Sequence, residues 1–203
     1  MKLNLFEIGY YEDFELKSFG FNSIGSNVKI AKNCVIVGVH KISIGDNVII
    51  DAFCSIIISD NGYLNIGSHV HIGAFSHILA SNGVELKDFS GLSQGVKIYS
   101  KTDDYSGNSL TNPTIPNEYK SFKKGKIIIN EHVIVGANSV ILPNVDIGEG
   151  VSIGALSLVS TNLAPWTMYF GNPLKKIASR SKILLKMKEE FLNNSAIRSL
   201  TNK

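Results

Sequence analysis

The 203-residue chain has few cysteines, few charged residues and no long apolar run. Two cysteines are too few for the disulfide framework of a small secreted domain, and they fit a reducing cytoplasm. Charged residues make up 18% of the chain and the formal net charge is +3, so an extended basic surface for nucleic acid is not expected. No apolar stretch approaches the roughly 20 residues of a membrane span. These absences favour a cytoplasmic globular protein that binds neither nucleic acid nor the membrane interior.

The N-terminal segment also lacks the apolar core of a signal peptide. Glu12, Asp13 and Glu15 interrupt it, and a signal peptide needs 7–15 consecutive apolar residues in roughly this place. We therefore expect residues 1–20 to form a lead-in that caps the first structural unit.

What the chain does have is an aliphatic residue at every sixth position along most of its length. These markers are Ile24, Ile30, Ile36, Ile44, Ile50, Ile56, Ile66, Ile72, Ile78, Leu86, Leu92, Ile98, Ile129, Val135, Ile141, Ile147, Ile153 and Val159. Neither a helix, with its period of 3.6, nor an ordinary strand, with its period of 2, gives this spacing. A solenoid with three short flat faces per turn does, because each six-residue unit supplies one strand and one corner.

A second position has the same period. Two residues before most markers stands a small or compact residue: Val28, Cys34, Val48, Cys54, Val70, Ser76, Ser90, Val96, Val133, Ser139, Val145, Val151 and Ser157. Side chains two apart on a strand face the same side, so both positions point into the solenoid. Cys34 and Cys54 are accordingly interpreted as small core residues, with a nucleophile or a disulfide as the minor alternative.

The repeat divides the chain into segments. Four coils begin near Ile24, Ile44, Ile66 and Leu86, the repeat fails over about 99–126, and two coils follow. The interruption carries Pro, Gly, Asn and Ser and predicts an extruded loop, which in a compact repeat protein is more often functional than not. The expected organisation is a lead-in over 1–20, an all-β solenoid of about six coils over 21–177, and a helix with its tail over 178–203. The amphipathic C-terminal helix is expected to cap the solenoid or brace a neighbouring subunit.

The Ile-Gly pairs within the repeat, such as Ile44-Gly45, Ile66-Gly67 and Ile153-Gly154, resemble those of the hexapeptide-repeat acyltransferases. The segment from Gly171 to Ile177 is similar to the family's Gly-Asn-Pro-Ala-Lys/Arg-x-Ile ending. The resemblance implies a left-handed parallel β-helix, usually a homotrimer, with acetyl-CoA or another acyl thioester between subunits. It implies cofactor contacts at Gly136, Ala137, Gly154, Ala155, Ser160, Thr161 and Lys175.

Acyl transfer to a hydroxyl needs a general base, and histidine suits this role because its pKa is near neutrality. His71 precedes a marker and points outward, and its segment resembles the His-Val-Gly-Asn-Phe segment of bifunctional glucosamine-1-phosphate acetyltransferases, where that histidine is the proposed base. An interface histidine without chemistry is the alternative. His69 and His132 fall at corners and are expected to be solvated.

The galactoside, maltose and xenobiotic acetyltransferases carry their histidine in the loop, near Asp103 and Asp104 here, where this chain has none. Either aspartate is a candidate base or orienting group, with an Asp/Gly turn as the structural alternative. The candidate acceptor-binding residues are Tyr99, Tyr105, Asn108, Asn112 and His77. Tyrosine rings stack on sugars while donating hydrogen bonds, which favours a carbohydrate or nucleotide-sugar acceptor.

The leading hypothesis is an acetyl-CoA-dependent acetyltransferase acting on a sugar hydroxyl, as in surface-polysaccharide or O-antigen assembly. The alternative is an N-acetyltransferase of an amino-sugar nucleotide, because an amine needs little base help once it is deprotonated. No metal is expected, since the histidines form no convincing zinc-binding trio. A metal-dependent β-helix protein and a non-catalytic scaffold are minor alternatives.

Overall fold

Three short strands and three corners make up each turn of a parallel β-helix. The computed structural model describes the backbone of residues 8–201 and the side chains of residues 8–194. Residues 1–7 of the expected lead-in and 202–203 of the tail lie outside the described part. Within it, no helix has the length and hydropathy needed to cross a membrane.

The first three coils follow one another without interruption. Their strands are β1 (Ser23–Ile24), β2 (Lys29–Ile30), β3 (Val35–Val37), β4 (Ile42–Ile44), β5 (Ile49–Ile50), β6 (Ser55–Ile57), β7 (Leu64–Ile66), β8 (His71–Ile72) and β9 (His77–Leu79). A helix α1 (Asp13–Ser18) precedes them, and a single 3-10 turn, Val39–Lys41, joins the first coil to the second.

The remaining coils are interrupted once. Their strands are β10 (Val84–Leu86), β11 (Gly91–Leu92), β12 (Lys97–Tyr99), then β13 (Lys101–Asp103) and β14 (Phe122–Lys124) of the loop, then β15 (Ile127–Ile129), β16 (Ile134–Val135), β17 (Val140–Ile141), β18 (Val145–Ile147), β19 (Ser152–Ile153) and β20 (Leu158–Val159). A final pair, β21 (Thr167–Phe170) and β22 (Lys175–Ser179), is followed by α2 (Ile183–Thr201). Six complete coils and an incomplete seventh result, close to the expected six.

The strands stack into three sheets, one for each face. The first face has the order β1-β4-β7-β10-β15-β18, and the third has β3-β6-β9-β12-β17-β20. The second face runs β2-β5-β8-β11-β16-β19 and continues into β21 and β22, with the last two strands antiparallel. The pairing β12–β17 joins Ile98 to Ile141 directly. The loop is therefore extruded without breaking the stack.

The predicted core is confirmed. From Ile30 onward, nearly every marker and nearly every residue two before it is buried, and only Ile24, Ile36 and Cys34 at the N-terminal end are partly exposed. Apolar burial contributes about 25 cal/mol per Å², and here it is spread evenly along the axis. No single coil holds the whole core, so each is stabilised by its neighbours.

One corner column departs from the expectation of solvated residues. Residues three after a first-face marker adopt a left-handed backbone, with φ of 59° at His69, 58° at Phe89 and 61° at His132. Trp166 stands three after Leu163, which bridges to the first-face marker Ile147, and has φ of 53°. His132 is buried, with its ring stacked on Phe89 at 5.4 Å between centroids. The expectation of solvation at His132 is wrong because the Phe89 ring stacks on it from the preceding coil and the Trp166 ring, with its centroid 6.4 Å away, covers its other side.

Helix α2 turns back beside the solenoid along this corner column. The Phe191 ring meets the His69 ring edge-on, with centroids 5.2 Å apart. The Lys188 ammonium pairs with the Glu131 carboxylate at 2.9 Å. At the other end Leu16 of α1 is buried in the core below the first coil. Thus α1 covers an end of the described stack, whereas α2 packs against its side.

Candidate active site

The extruded loop folds over the third face and its corner to enclose a pocket. Strands β13 and β14 pair antiparallel, with Asp103 opposite Phe122, and the rest of the loop closes over them. The enclosed volume is about 960 Å³. We call this the loop pocket, whose principal lining residues are Asp60, Tyr99, Lys101, Asp103, Tyr105, Asn112, Lys120, Phe122, Lys123, Val140 and Ser160.

One wall of the loop pocket is an ion pair between separate coils. The Lys101 ammonium lies 2.8 Å from the Asp60 carboxylate and 3.9 Å from the centroid of the Phe122 ring. Asp60 stands at the corner after β6, with φ of 51°, and Lys101 opens β13. The two contacts fix the direction of the lysine, so a positive charge is held at the pocket wall.

Asp103 supplies a negative charge to the same pocket. It ends β13 and is partly buried, and its carboxylate accepts a hydrogen bond from the backbone N–H of Asn112 at 3.3 Å. The side-chain oxygen of Asn112 in turn accepts bonds from Thr114. A weak single bond leaves the Asp103 carboxylate able to accept further protons or donors, as a base or an amine-binding group requires.

Asp104 has a different role from its neighbour. Its carboxylate accepts bonds from the backbone N–H and hydroxyl of Ser106 and from the hydroxyl of Ser109. The Ser106 N–H bond is the main cause holding the pKa of this exposed carboxyl below its usual range. The Asn108 side chain donates to the Ser106 hydroxyl in the same turn. The structure therefore places Asp104 and Asn108 in a turn outside the pocket lining, and we carry neither into the proposed site.

Two tyrosines expected to bind the acceptor do line the loop pocket. Tyr99 ends β12 and is partly buried, while Tyr105 is 88% exposed. The His77 ring lies 5.4 Å from the Tyr99 ring between centroids. Burial lowers the pKa of His77, and the nearby Lys97 ammonium adds to the shift. His77 therefore packs against Tyr99 outside the pocket lining, and its lowered pKa favours the neutral imidazole.

His71, the expected base, lies around the corner on the second face. Its imidazole Nε2 is 2.8 Å from the Asp51 carboxylate, which stands one coil earlier. A carboxylate-oriented histidine is a geometry used for general bases. However, His71 borders a second depression, which we call the helix groove, about 500 Å³ between α2 and the second face and lined among others by His69, Phe89, Arg180 and Phe191.

The polar side chains of the helix groove mostly contact the protein itself. The Arg180 guanidinium donates to the backbone carbonyls of His132, Gly150 and Val151 at 2.7, 3.0 and 3.2 Å. Burial is the main cause lowering the pKa of His132, and Lys188 adds to it. The Arg180 bonds tie the segment between β22 and α2 to two adjacent coils.

Comparison with known proteins identifies acyltransferases that are similar to this chain. A family model described as bacterial transferase hexapeptide (six repeats) matches residues 126–161. The dTDP-4-amino-4,6-dideoxy-D-glucose acyltransferase of Escherichia coli is 40% identical over 184 residues, which cover 91% of this chain and 95% of that enzyme. This chain belongs to the hexapeptide-repeat acyltransferases.

Solved structures extend this similarity within the hexapeptide-repeat acyltransferases. A variant of AntD, an N-acyltransferase from Bacillus cereus, in complex with dTDP and coenzyme A has 45% identity and a TM-score of 0.87, covering 92% of this chain and 99% of that one. AntD with dTDP and 3-hydroxybutyryl-CoA has 43% identity and a TM-score of 0.87, covering 93% and 98%. These relatives favour the N-acylation alternative over the leading hypothesis of O-acetylation.

The expected cofactor residues of this hexapeptide-repeat acyltransferase fall into two groups. Gly136 and Gly154 are packing positions: a Cβ at Gly136 would stand 2.4 Å from the Ala155 nitrogen, and one at Gly154 would stand 2.2 Å from the Phe170 ring. Ala155, Ser160, Thr161 and Lys175 are exposed and Ala137 is half-buried near the last coils. Ser160 also lines the loop pocket. The exposed group is the one available to a ligand.

Several lining residues were missed by sequence reasoning. Asp60, Lys101, Lys120 and Phe122 were not singled out, although three of them lie in or beside the loop. For Asp60 a signal existed, because the markers on either side of it, Ile56 and Ile66, are more widely spaced than those between any other two coils except the pair that the loop separates. Within the described residues no cluster of three or more His, Cys, Asp or Glu is arranged to hold a metal ion.

Proposed function

We propose that this protein is an acyl-CoA-dependent N-acyltransferase acting on the amino group of a dTDP-linked 4-amino-4,6-dideoxyhexose. The observation that carries the proposal is its similarity, over 91% or more of the chain, to the Escherichia coli acyltransferase and to AntD. A solved AntD complex contains dTDP-4-amino-4,6-dideoxyglucose together with coenzyme A. The charges of the loop pocket support the same acceptor.

The acceptor amine is a cation in its resting state, and it becomes a nucleophile on losing one proton. The Asp103 carboxylate is suited to bind the ammonium and to accept that proton, directly or through water. The freed lone pair attacks the thioester carbonyl and the C–S bond breaks. The second proton of the attacking nitrogen passes to the departing sulfur, so the products are a neutral amide and the coenzyme A thiol. Asp103 is therefore the proposed catalytic residue, and its weak bond to the Asn112 N–H keeps it in place.

The nucleotide part of the acceptor needs positive charge and flat rings. Lys101, Lys120 and Lys123 line the loop pocket, and lysine ammonium groups bind phosphate oxygens. Tyr99 and Tyr105 offer aromatic faces to a base or a sugar. We assign the lysines to the diphosphate, the tyrosines to the rings and Asn112 to a sugar hydroxyl.

The acyl donor needs a narrow path to the same pocket. Val140 lines the loop pocket and pairs with Leu158 one coil further on. Ala155 and Lys175 lie exposed beyond them. We propose that the pantetheine arm follows this apolar track past Ala137 and Ala155, that Ser160 and Thr161 bond its amides, and that Lys175 meets a coenzyme A phosphate. The donor is acetyl-CoA or another short acyl-CoA.

We also propose that the working enzyme is a homotrimer. Four apolar residues on the outer surface between the second and third faces support this proposal because they remain exposed. Their exposed fractions are 58% for Val35, 55% for Phe53, 62% for Phe75 and 70% for Leu156. Exposed apolar surface of this extent is typical of an interface. Native mass spectrometry measures the assembly directly.

The test is thiol release from acyl-CoA with two matched acceptors, dTDP-4-amino-4,6-dideoxyglucose and its 4-hydroxyl counterpart. We expect release with the amino sugar alone and a product heavier by one acyl group, attached at nitrogen. Release with both acceptors, or with the hydroxyl compound alone, overturns the proposal.

O-acetylation of a sugar hydroxyl is the second candidate, and one observation favours it. A hydroxyl needs a base to remove its proton. Among the described histidines, His71 has the shortest contact with a carboxylate, since its Nε2 lies 2.8 Å from Asp51. Turnover of the hydroxyl acceptor that is lost in His71→Ala would support this candidate.

A further inference from the structure

Two cysteines lie side by side on the third face, on adjacent coils. Strands β3 and β6 pair in parallel with Val35 opposite Ser55, and the Val35 N–H donates to the Cys54 carbonyl at 2.9 Å. Cys34 and Cys54 come directly before this pair, and both point inward. Paired strands are about 4.8 Å apart, which lies within the roughly 4.4–6.8 Å between Cα atoms that a disulfide spans.

The Cys34 sulfur is directed toward the second coil. It lies 3.1 Å from the Asp51 carbonyl oxygen, which belongs to that coil. The Cys54 sulfur lies 3.3 Å from the Gly73 carbonyl oxygen, on the coil beyond. An S–S bond therefore requires Cys54 to rotate about its Cα–Cβ bond and to give up one weak S–H hydrogen bond.

A small solute can reach Cys34 but not Cys54. Cys54 is 1% exposed, whereas Cys34 is only partly buried and lines an apolar cavity of about 300 Å³ between α1 and the first coil, together with Tyr11, Leu16 and Phe19. Within the described residues the first coil is the end of the stack, so this cavity offers a route to Cys34 that Cys54 lacks.

The two thiols differ in acidity, and Cys34 is the more acidic of them. The neighbouring Cys54 side chain is the main cause lowering the pKa of Cys34 to about 7, although burial opposes it. The Cys34 side chain and burial raise the pKa of Cys54. Cys34 is thus the more acidic thiol of the two, and the thiolate form is the nucleophile in thiol oxidation.

We propose that Cys34 and Cys54 form a hydroperoxide-sensitive modification site that closes to an intrachain disulfide. The Cys34 thiolate attacks the peroxide O–O bond, which breaks, and a sulfenic acid forms as hydroxide leaves. The Cys54 sulfur then attacks the Cys34 sulfur, the S–O bond breaks, and water leaves. In total two thiols and one hydrogen peroxide give one disulfide and two waters. The crosslink joins the first coil to the second beneath α1.

The test uses the folded, reduced wild-type protein and hydrogen peroxide. After catalase removes the peroxide, the protein is denatured with N-ethylmaleimide and weighed intact. We expect a chain that is lighter by two hydrogens and carries no maleimide, and that gains two maleimides after reduction with dithiothreitol. The oxidised protein is expected to have a higher Tm than the reduced one, because a crosslink restricts the unfolded chain.

Single-cysteine variants separate the two roles. In Cys54→Ser, Cys34 should be trapped by dimedone as a sulfenic acid, and in Cys34→Ser, Cys54 should stay free for maleimide. Two maleimides on peroxide-treated wild type, a disulfide between two chains on a non-reducing gel, or sulfinic acid at Cys34 beside a free Cys54 would each overturn the proposal. Because the deciding measurement is made on wild type, a poorly folded variant does not block it.

Discussion

The loop pocket and the helix groove lie on different faces of one β-helix and use their polar side chains in opposite ways. In the loop pocket, Asp103 accepts one weak backbone bond, and Tyr105 and Lys123 are exposed beside the cavity. In the helix groove, Arg180 bonds three backbone carbonyls and Lys188 pairs with Glu131. The groove has more histidines, yet the pocket has the charges that are available to a ligand. The number of titratable groups is therefore a poorer guide to the site than their remaining bonding capacity.

The sharpest test of this contrast is Asp103→Asn. We expect kcat/KM for the amino-sugar nucleotide to fall about 10²- to 10⁴-fold, the contribution typical of a group that accepts a proton from the nucleophile. Tm should hold, because the carboxylate makes one weak backbone bond. Asp13→Asn on α1 is the matched control and should behave as wild type in both measurements. Unchanged kinetics in Asp103→Asn would remove Asp103 from the proposed site.

The next effect concerns the nucleotide. Lys101→Met keeps an apolar stem against Phe122 but removes the charge, so we expect KM for the nucleotide sugar to rise about tenfold while kcat changes little. Its pair with the exposed Asp60 carboxylate contributes only about 0–1 kcal/mol to stability. Steady-state kinetics at two salt concentrations checks the binding role of Lys101. Salt screens the lysine charge, so the difference in KM between wild type and Lys101→Met should become smaller at the higher concentration. A lower kcat at unchanged KM would contradict a binding role.

A change in the helix groove should alter stability instead of catalysis. Burial depresses the pKa of His132, so near pH 6 the unfolded chain takes up more protons at this residue than the folded one. Its contribution to stability is therefore fully present above the unfolded value of about 6.5 and is lost as pH falls from there through the lower folded value. His132→Phe replaces it with a ring that suits this corner column.

The measurement for His132→Phe is Tm between pH 5 and 8. We expect the wild-type Tm to fall more steeply toward pH 5 than that of the variant, with kcat/KM at neutral pH the same in both. Equal slopes would show that His132 is not the group that titrates, and a large loss of turnover would make the groove part of the site.

The smallest expected effect is at the histidine singled out as a base. If the acceptor is an amine held by the loop pocket, His71→Ala should change kcat/KM by less than about threefold, against the 10²–10⁴-fold that a general base contributes. The measurement is kcat/KM of wild type and of His71→Ala with both the amino and the hydroxyl acceptor. A loss of two orders of magnitude on the amino sugar would mean that the second face takes part in catalysis.

Much of the fold was predictable because the inward and outward alternation of a strand is a local property. The recurrence of Ile72, Ile78 and their equivalents identified the core, and their burial confirms it. The same register placed His71 and His77 on different outer faces, which the pairing of β8 and β9 with separate sheets bears out. The loop was located from the interval in which the repeat fails.

The site was only partly predictable, because it is assembled from residues far apart in sequence. Tyr99, Asp103, Tyr105 and Asn112 were found through the loop, but Asp60 joins them only through the stacking of a different coil. Asp103 and Asp104 are adjacent and chemically alike, and only the hydrogen bonds of the folded loop separate a pocket carboxylate from a turn carboxylate.

The sequence by itself determined the six-residue period, the core and the position of the extruded loop, because each depends on short-range alternation repeated many times. The tertiary structure alone decided that His132 is buried, that α2 packs along the side, and that Asp60 and Lys101 meet over 41 positions of sequence. Those outcomes depend on which coil lies above which and on where the loop and helix return. Local pattern carries no information about such distant neighbours.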